Sequence, residues 1–140
     1  MKKWLFSSMV IVLMLFATGC GKAENANANK PLQEVKVVFL TAENVKATTT
    51  LQLSVKVTQG KNNIDDAAMM DFEVWQSGDR KKSQMISGTH RGDGVYEATV
   101  KVKNNAVYYA FAHTEASGLH VMPKQKFIIG KPNMAKVKKD

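Results

Sequence analysis

Apolar and polar side chains alternate with a period of two along most of the chain after residue 34. The clearest case is TLQLSVKVT, residues 50–58, in which every second position is Leu or Val and the positions between them are polar. Residues 95–102, VYEATVKV, repeat the pattern. Such alternation is typical of an antiparallel strand with one buried face, and no segment keeps a helical period for long. The pattern therefore predicts an all-β domain.

Turn-forming segments divide this region into short strands. The turns include QGKNNIDD at residues 59–66, GDG at residues 92–94 and NN at residues 104–105. The predicted strands are residues 34–40, 50–58, 70–75, 81–89, 95–102, 107–113 and 120–129. About seven short strands at this spacing predict an immunoglobulin-like antiparallel β-sandwich.

The last two predicted strands form a hairpin, because the segment between them contains the turn formers Ser117 and Gly118. We expect a register that places His113 opposite His120, since directly opposed residues share a face with Cβ atoms about 5 Å apart. His120 and Met122 are two residues apart on one strand and also face the same way. Two imidazoles and a thioether would then converge near the end of this hairpin.

The chain begins with the pattern of a secretory leader. Lys2 and Lys3 precede an apolar run that is too short for a comfortable transmembrane span. The run ends in ATGC, which resembles the lipobox of bacterial lipoproteins, although Ala17 replaces the commoner leucine. In such proteins the leader is cleaved before the cysteine, and its sulfur receives a diacylglycerol. We therefore predict a signal peptide at residues 1–19 and lipidation of Cys20, the only cysteine in the chain.

Lipidation would place the protein on the extracytoplasmic face of the cell membrane, held by acyl chains in the bilayer. Residues 20–33 are small and polar and predict a flexible tether. The folded domain is predicted at residues 34–130, and residues 131–140 form a basic tail.

Charge does not change this interpretation. Removal of Lys2 and Lys3 with the leader leaves 18 Lys and Arg side chains against 12 Asp and Glu, a net charge of about +6. A basic chain invites a nucleic-acid hypothesis. We exclude nucleic acid as a partner, because the leader exports the protein and no basic cluster is interleaved with aromatic residues.

The predicted hairpin offers ligands for copper. Copper(I) favours thioether and imidazole ligands, and outside the cytoplasm Met and His resist oxidation better than Cys. We therefore predict a metal site formed by His113, His120 and Met122, with Met69 and His90 as further candidates. Zinc is less favoured, because no cysteine or carboxylate accompanies the two histidines in a recognisable spacing.

Structural roles are the alternative for each of these residues. In this alternative, His113 at the end of a strand forms a structural hydrogen bond and binds no metal. Met122 packs against Phe111 through a contact between its sulfur and the ring. An enzyme is not predicted, because the mature chain keeps no cysteine nucleophile beyond the lipidated one, no histidine triad and no paired carboxylates in a recognisable motif.

Several segments together resemble the FixH-like and YtkA-like domains of bacterial envelope proteins. The resemblance covers residues 35–130 and rests on LQLSVKV, GDGVYEATVKV, VYYAFAH and above all GLHVMPKQKFIIG. It implies an immunoglobulin-like module linked to copper handling or respiratory oxidase assembly, with a membrane protein of copper handling or respiration as a partner.

Two other functions stay open from the sequence. The domain can be a protein-interaction module on the membrane surface with no metal, in which the histidines serve structure alone. It can also bind a small ligand or an envelope polymer through Trp75 and Tyr108, which we expect to be exposed.

Overall fold

The computed structural model describes residues 33–138, so the predicted signal peptide, Cys20 and nearly all of the tether lie outside the described residues. The described chain is built from strands. These are β1 (Val35–Phe39), β2 (Asn44–Val45), β3 (Thr50–Gln59), β4 (Asn62–Asn63), β5 (Met69–Gln76), β6 (Gln84–Ser87), β7 (Thr89–Gly92), β8 (Val95–Lys101), β9 (Ala106–Ala116), β10 (Leu119–Val121) and β11 (Lys124–Ile129). The helical segments in residues 33–138 are two single-turn 3₁₀ helices, Arg80–Lys82 and Met134–Lys136. No helix in residues 33–138 has the length and apolarity needed to cross a bilayer.

The strands form two sheets. Sheet I has the order β1-β3-β8-β7, with β4 paired to β3, and sheet II has the order β2-β11-β9-β5-β6, with β10 paired to β9. Every pairing is antiparallel except the short contact of β11 with β2. This arrangement confirms the predicted all-β sandwich. The additional strands are short, and the predicted strand at residues 120–129 is divided into β10 and β11 at Met122 and Pro123.

The core lies between the sheets and follows the period-two pattern. In β3, Leu51, Leu53, Val55 and Val57 all face inward and are at most 1% exposed. They pack with Phe72, Phe127 and the other inward residues of sheet II in one cluster. Phe39 joins the two layers, with its ring centroid 5.7 Å from that of Phe127.

The chain passes directly from one sheet to the other at Gly88. The edge strand β6 of sheet II ends at Ser87, and the edge strand β7 of sheet I begins at Thr89. The Gly88 amide donates to the Met70 carbonyl at 2.7 Å. A Cβ atom at this position would lie 2.7 Å from Cγ of Met70, so the crossing needs glycine for space.

The hairpin of β9 and β10 differs from the predicted register. His120 pairs with Glu115 and not with His113. The turn consists of only Ser117 (φ 52°) and Gly118 (φ 73°), the positive φ pair of a type I′ hairpin turn. Because β9 extends to Ala116, the turn centre lies one residue later than predicted, and every cross-strand pair moves by two residues.

The segment after β11 packs on the domain as far as it is described. The Lys131 amide donates to Oδ1 of Asn105 at 2.9 Å, and the Ser77 hydroxyl donates to the Lys138 carbonyl at 2.7 Å. Between these contacts the 3₁₀ turn Met134–Lys136 is capped by the Asn133 side chain. Residues 131–138 therefore lie against the end of the sandwich.

Candidate metal centre

The candidate ligands lie on the outer face of sheet II, which is the side turned away from sheet I. In β5 the inward residues are Met70, Phe72 and Val74, so the alternate residues of that strand face outward. In β9 the outward positions include Phe111 and His113. Since neighbouring strands keep this alternation, the outer face carries rows of side chains that are far apart in sequence.

His113 and His120 lie together on this face although they are not cross-strand partners. Their ring centroids are 6.0 Å apart and the rings meet edge to face. With metal–nitrogen distances of about 2.0 Å, two imidazoles that share one metal ion have their ring centres about 5 to 6 Å apart. The shift of the hairpin by two residues preserved the face of both side chains, so the predicted convergence of the rings holds.

The two methionine candidates lie in neighbouring rows. Pro123 O accepts from the Ala112 amide at 3.0 Å, which keeps β10 and β11 in one continuous register along β9. That register puts Met122 across from His113, and its side chain is 40% exposed. Met69 is partly buried and pairs with Glu115, which in turn pairs with His120. The thioethers of Met122 and Met69 are therefore register neighbours of the two rings.

His90 does not belong to this group. It lies on β7 of sheet I, where Nε2 is 2.9 Å from Oδ1 of Asp65 and the ring packs 5.0 Å from that of Tyr96. The Gly94 amide donates to the same Asp65 oxygen. The geometry gives His90 a local structural role beside the GDG turn.

Carboxylates lie beside His113, and no local pattern in the sequence predicted them. Oε2 of Glu73 is 3.1 Å from Nε2 of His113, and Oε1 of Glu73 is 3.4 Å from Nε of Arg80. Burial raises the pKa of the Glu73 carboxyl, but hydrogen bonds from His113, Arg80 and Ser83 outweigh burial and hold the pKa below its ordinary value of 4.5. Glu73 is therefore an ionised acceptor at neutral pH.

Two more carboxylates complete the surroundings of the rings. Asp71 is the cross-strand partner of His113 and accepts a hydrogen bond from the Ser87 hydroxyl at 2.7 Å. Oε1 of Glu115 is 3.5 Å from Nδ1 of His120. The sequence-based argument against zinc concerned spacing along the chain, and that spacing does not show that the fold brings Glu73 and Asp71 to His113 from a distant strand. Within residues 33–138, however, no three His, Cys, Asp or Glu side chains form a preassembled metal site.

An aromatic cluster continues the outer face beyond Glu73. It consists of Trp75, Tyr109 and Phe111, whose ring centroids are 5.9 Å (Trp75–Tyr109) and 5.4 Å (Trp75–Phe111) apart. The guanidinium carbon of Arg80 lies 4.9 Å from the Trp75 centroid, and Nζ of Lys124 lies 5.0 Å from the Tyr109 centroid. These two cations cover the rings.

The expectation that Trp75 and Tyr108 are exposed is wrong. Trp75 is 2% exposed because Arg80 and Lys124 cover it on the outer face. Tyr108 is 7% exposed because it points into the sandwich, where its hydroxyl oxygen accepts from the Lys103 amide at 2.9 Å. Neither ring is available to a ligand.

Comparison with solved structures finds similar chains at low sequence identity. The chain is similar to the sensor domain of the anti-sigma factor RsgI4 in Pseudobacteroides cellulosolvens, with 18% identity, a TM-score of 0.49, and coverage of 70% of this chain and 76% of that one. It is also similar to the superoxide reductase neelaredoxin from Ignicoccus hospitalis, with 16% identity, a TM-score of 0.46, and coverage of 69% and 82%. Nothing about function is carried over from either protein.

Comparison with families is more specific. No curated protein sequence matches the chain significantly. The profile of a family described as YtkA-like matches residues 29–109, which is more than half of the chain and includes all of sheet I. The matched region ends before His113, so His113, His120 and Met122 all lie beyond it. The chain belongs to the YtkA-like family.

Proposed function

We propose that this protein is an extracytoplasmic lipoprotein, anchored through Cys20, whose YtkA-like domain binds copper as an accessory to copper handling or respiratory oxidase assembly. The observation that carries the proposal is the pair of imidazoles, His113 and His120, with ring centroids 6.0 Å apart on an outer sheet face. The proposal gives the domain a role in binding and none in catalysis.

The chemistry of the donors favours copper(I). The thioether of Met122 is a soft donor and the two imidazoles are borderline donors, and copper(I) accepts both kinds. His120 is 44% exposed and Met122 is 40% exposed, so an incoming ion can reach both side chains. Copper would be cargo here, held between donors that are side by side on the outer face and not enclosed in the core.

A titration tests this proposal directly. The protein is the chain from residue 20 onward with Cys20→Ser, because the Cys20 thiolate would itself bind copper(I). Copper(I) is added under reducing conditions against a colorimetric competitor chelator. We expect one ion to bind more tightly than micromolar, with His113→Ala, His120→Ala and Met122→Leu each weakening affinity at least tenfold, about 1.4 kcal/mol.

The chain supplies a matched control in His90→Ala. His90 lies on the other sheet and bonds to Asp65, so its removal should leave copper affinity within about twofold of the parent protein. Equal affinity in all four variants, or binding weaker than micromolar in the parent, would refute the proposal.

A second candidate function is favoured by the cation-covered aromatic cluster. Arg80, with 54% of its side chain exposed, and the exposed Lys124 present two positive charges on a rigid aromatic floor. Such a surface suits an acidic protein partner at the membrane, with no metal involved. A photo-crosslinking residue at position 124 should then give a discrete adduct in native membranes, whereas one at exposed Lys101, on sheet I, should not.

A further inference from the structure

We infer that the Glu73 carboxylate fixes His113 as the Nε2–H tautomer and thereby leaves Nδ1 as the atom that His113 offers to a metal. The second half of this inference rests on the proposed copper-binding function, whereas the first half concerns the protein alone. Glu73 is a positioning residue in this scheme, because it acts on the ligand His113 and does not itself hold the metal.

Glu73 is held firmly enough to do this. Its side chain is only 15% exposed, and Arg80 donates to Oε1 while His113 contacts Oε2. An ionised carboxylate has no proton to donate and can only accept. The nitrogen that meets Oε2 at 3.1 Å must therefore carry the hydrogen, and that nitrogen is Nε2 of His113.

The other ring nitrogen of His113, Nδ1, then carries the available lone pair. A neutral imidazole protonated on Nε2 is unprotonated on Nδ1. Within residues 33–138, Nδ1 of His113 has no hydrogen-bond partner. Metal-binding histidines usually donate their second nitrogen to a carboxylate or carbonyl, which fixes the tautomer and raises the basicity of the ligating nitrogen. Glu73 and His113 already stand in this relationship.

His120 is constrained less and in the opposite sense. Its Nδ1 faces Glu115 at 3.5 Å, too far for a good hydrogen bond, and both side chains are about half exposed. Its Nε2 is the nitrogen away from Glu115. The two histidines therefore divide their roles, since His113 is oriented in advance by Glu73 whereas His120 remains free to adjust to an ion.

Nitrogen-15 NMR of the imidazoles tests the first half without any metal. The sample is the Cys20→Ser chain from residue 20 onward, at a pH about two units above the ordinary histidine pKa of about 6.5. Long-range proton–nitrogen correlations distinguish the tautomers. We expect His113 to be almost entirely Nε2–H in the parent protein and a mixture of tautomers in Glu73→Gln, because an amide can either accept from Nε2 or donate to it.

Arg80→Gln is the matched control. It removes the other ion-pair partner of Glu73 and keeps the carboxylate beside His113, so the Nε2–H tautomer should persist. Backbone amide spectra establish that each variant is folded. A dominant Nδ1–H tautomer in the parent, or the same tautomer population in Glu73→Gln as in the parent, would overturn the inference.

Copper(I) addition to the same samples tests the second half. One equivalent should shift Nδ1 of His113 strongly, and Glu73→Gln should weaken affinity by roughly tenfold or more, as second-shell replacements commonly do. A large shift at Nε2 of His113 would overturn the assignment of the ligating atom. If the parent protein binds no copper, the proposed function fails, while the apo spectrum still supports or overturns the role of Glu73.

Discussion

His113 and His120 sit 6.0 Å apart, ring to ring, although each has a different cross-strand partner. His113 pairs with Asp71 on β5, and His120 pairs with Glu115 on β9. The rings still meet because their backbones occupy adjacent rows of the same face, one row apart along β9. This diagonal relationship gives the two imidazoles a separation that a single metal ion could span.

His113 and His120 should bind a single copper(I) ion between them. If both rings hold the same ion, one equivalent of copper(I) should shift the imidazole signals of His113 and His120 together and saturate both. His90, which bonds to Asp65 on the opposite sheet, should keep its signal. Proton–carbon correlation spectra of the histidine rings follow all three residues in one titration. Saturation of the two rings at different copper equivalents would contradict a shared ion.

The strands could be predicted from the sequence, but the register of the hairpin between β9 and β10 could not. The period of two in β3 is local, so its inward face could be predicted, and those residues are buried. The hairpin register depends on where the turn falls. A serine can adopt the positive φ that Ser117 has here, but its identity does not demand that conformation. The prediction therefore used a longer loop and was wrong by two residues.

Contacts between residues far apart in sequence explain why the partner of His113 and the burial of Trp75 were not predicted. Glu73 precedes His113 by 40 residues, and only the pairing of β5 with β9 brings them together. The cover over Trp75 comes from a 3₁₀ turn that carries Arg80 and from Lys124 on β11. A pattern of alternation shows which residues of one strand share a face. It does not show which side chains from distant strands will contact those residues.

Replacement of Cys20 by Ala is expected to release the protein from the membrane. Acyl chains contribute roughly 0.8 kcal/mol of binding per buried methylene, and the predicted anchor is a lipid on this one sulfur. Membrane fractionation after labelling with a radioactive fatty acid measures both effects. The parent protein should be labelled and sediment with membranes, whereas the variant should be neither labelled nor sedimented. A labelled variant would show that lipid is attached elsewhere.

Arg80→Gln should expose Trp75 to water. Arg80 lies 4.9 Å above the indole, which is 2% exposed, and Trp75 is the only tryptophan after the predicted leader. We expect the emission maximum to move to longer wavelength and acrylamide quenching to increase. Lys81 is exposed on the same 3₁₀ turn, and the cations that lie over the rings of the cluster are Arg80 and Lys124, so Lys81→Gln is the control that should leave the spectrum unchanged. An unshifted spectrum in Arg80→Gln would mean that the guanidinium does not shield the ring.

Two glycine substitutions should differ in cost although both residues have positive φ. Gly118 (φ +73°) has open space around a built Cβ, so Gly118→Ala should lower the free energy of unfolding by only about 1 kcal/mol, the usual strain of this backbone conformation. At Gly94 (φ +71°) a Cβ would lie 2.5 Å from the Val57 carbonyl oxygen. Gly94→Ala should therefore cost clearly more. Urea unfolding compares the two, and an equal cost would contradict the steric argument.

The Asp65 carboxylate should contribute stability that acid removes. The hydrogen bond from the Gly94 amide, followed by that from His90, holds the pKa of Asp65 below its ordinary value of 3.8. A depressed pKa in the folded state favours folding at pH above 3.8, and this contribution disappears as pH falls through the lowered folded pKa. Asp65→Asn should be less stable than the parent near neutral pH, and the difference should shrink in acid.

Urea midpoints measured from pH 6 down to about pH 2.5 give this pH dependence. Asp66→Asn, at the next residue but outside the hydrogen-bond cluster of Gly94 and His90, is the control and should follow the parent curve. A constant gap between parent and Asp65→Asn across this range would show that ionisation of Asp65 does not stabilise the fold.

The crossing of the chain at Gly88 limits how these molecules can associate. The edge strand β6 has only four residues, about 13 Å of backbone, because it ends at Ser87. A strand from another molecule could pair with β6 only over this length. A long exposed edge strand presents unpaired amides and carbonyls with which another chain can pair. The early crossing at Gly88 therefore shortens the backbone that a second chain could pair with at this edge of sheet II.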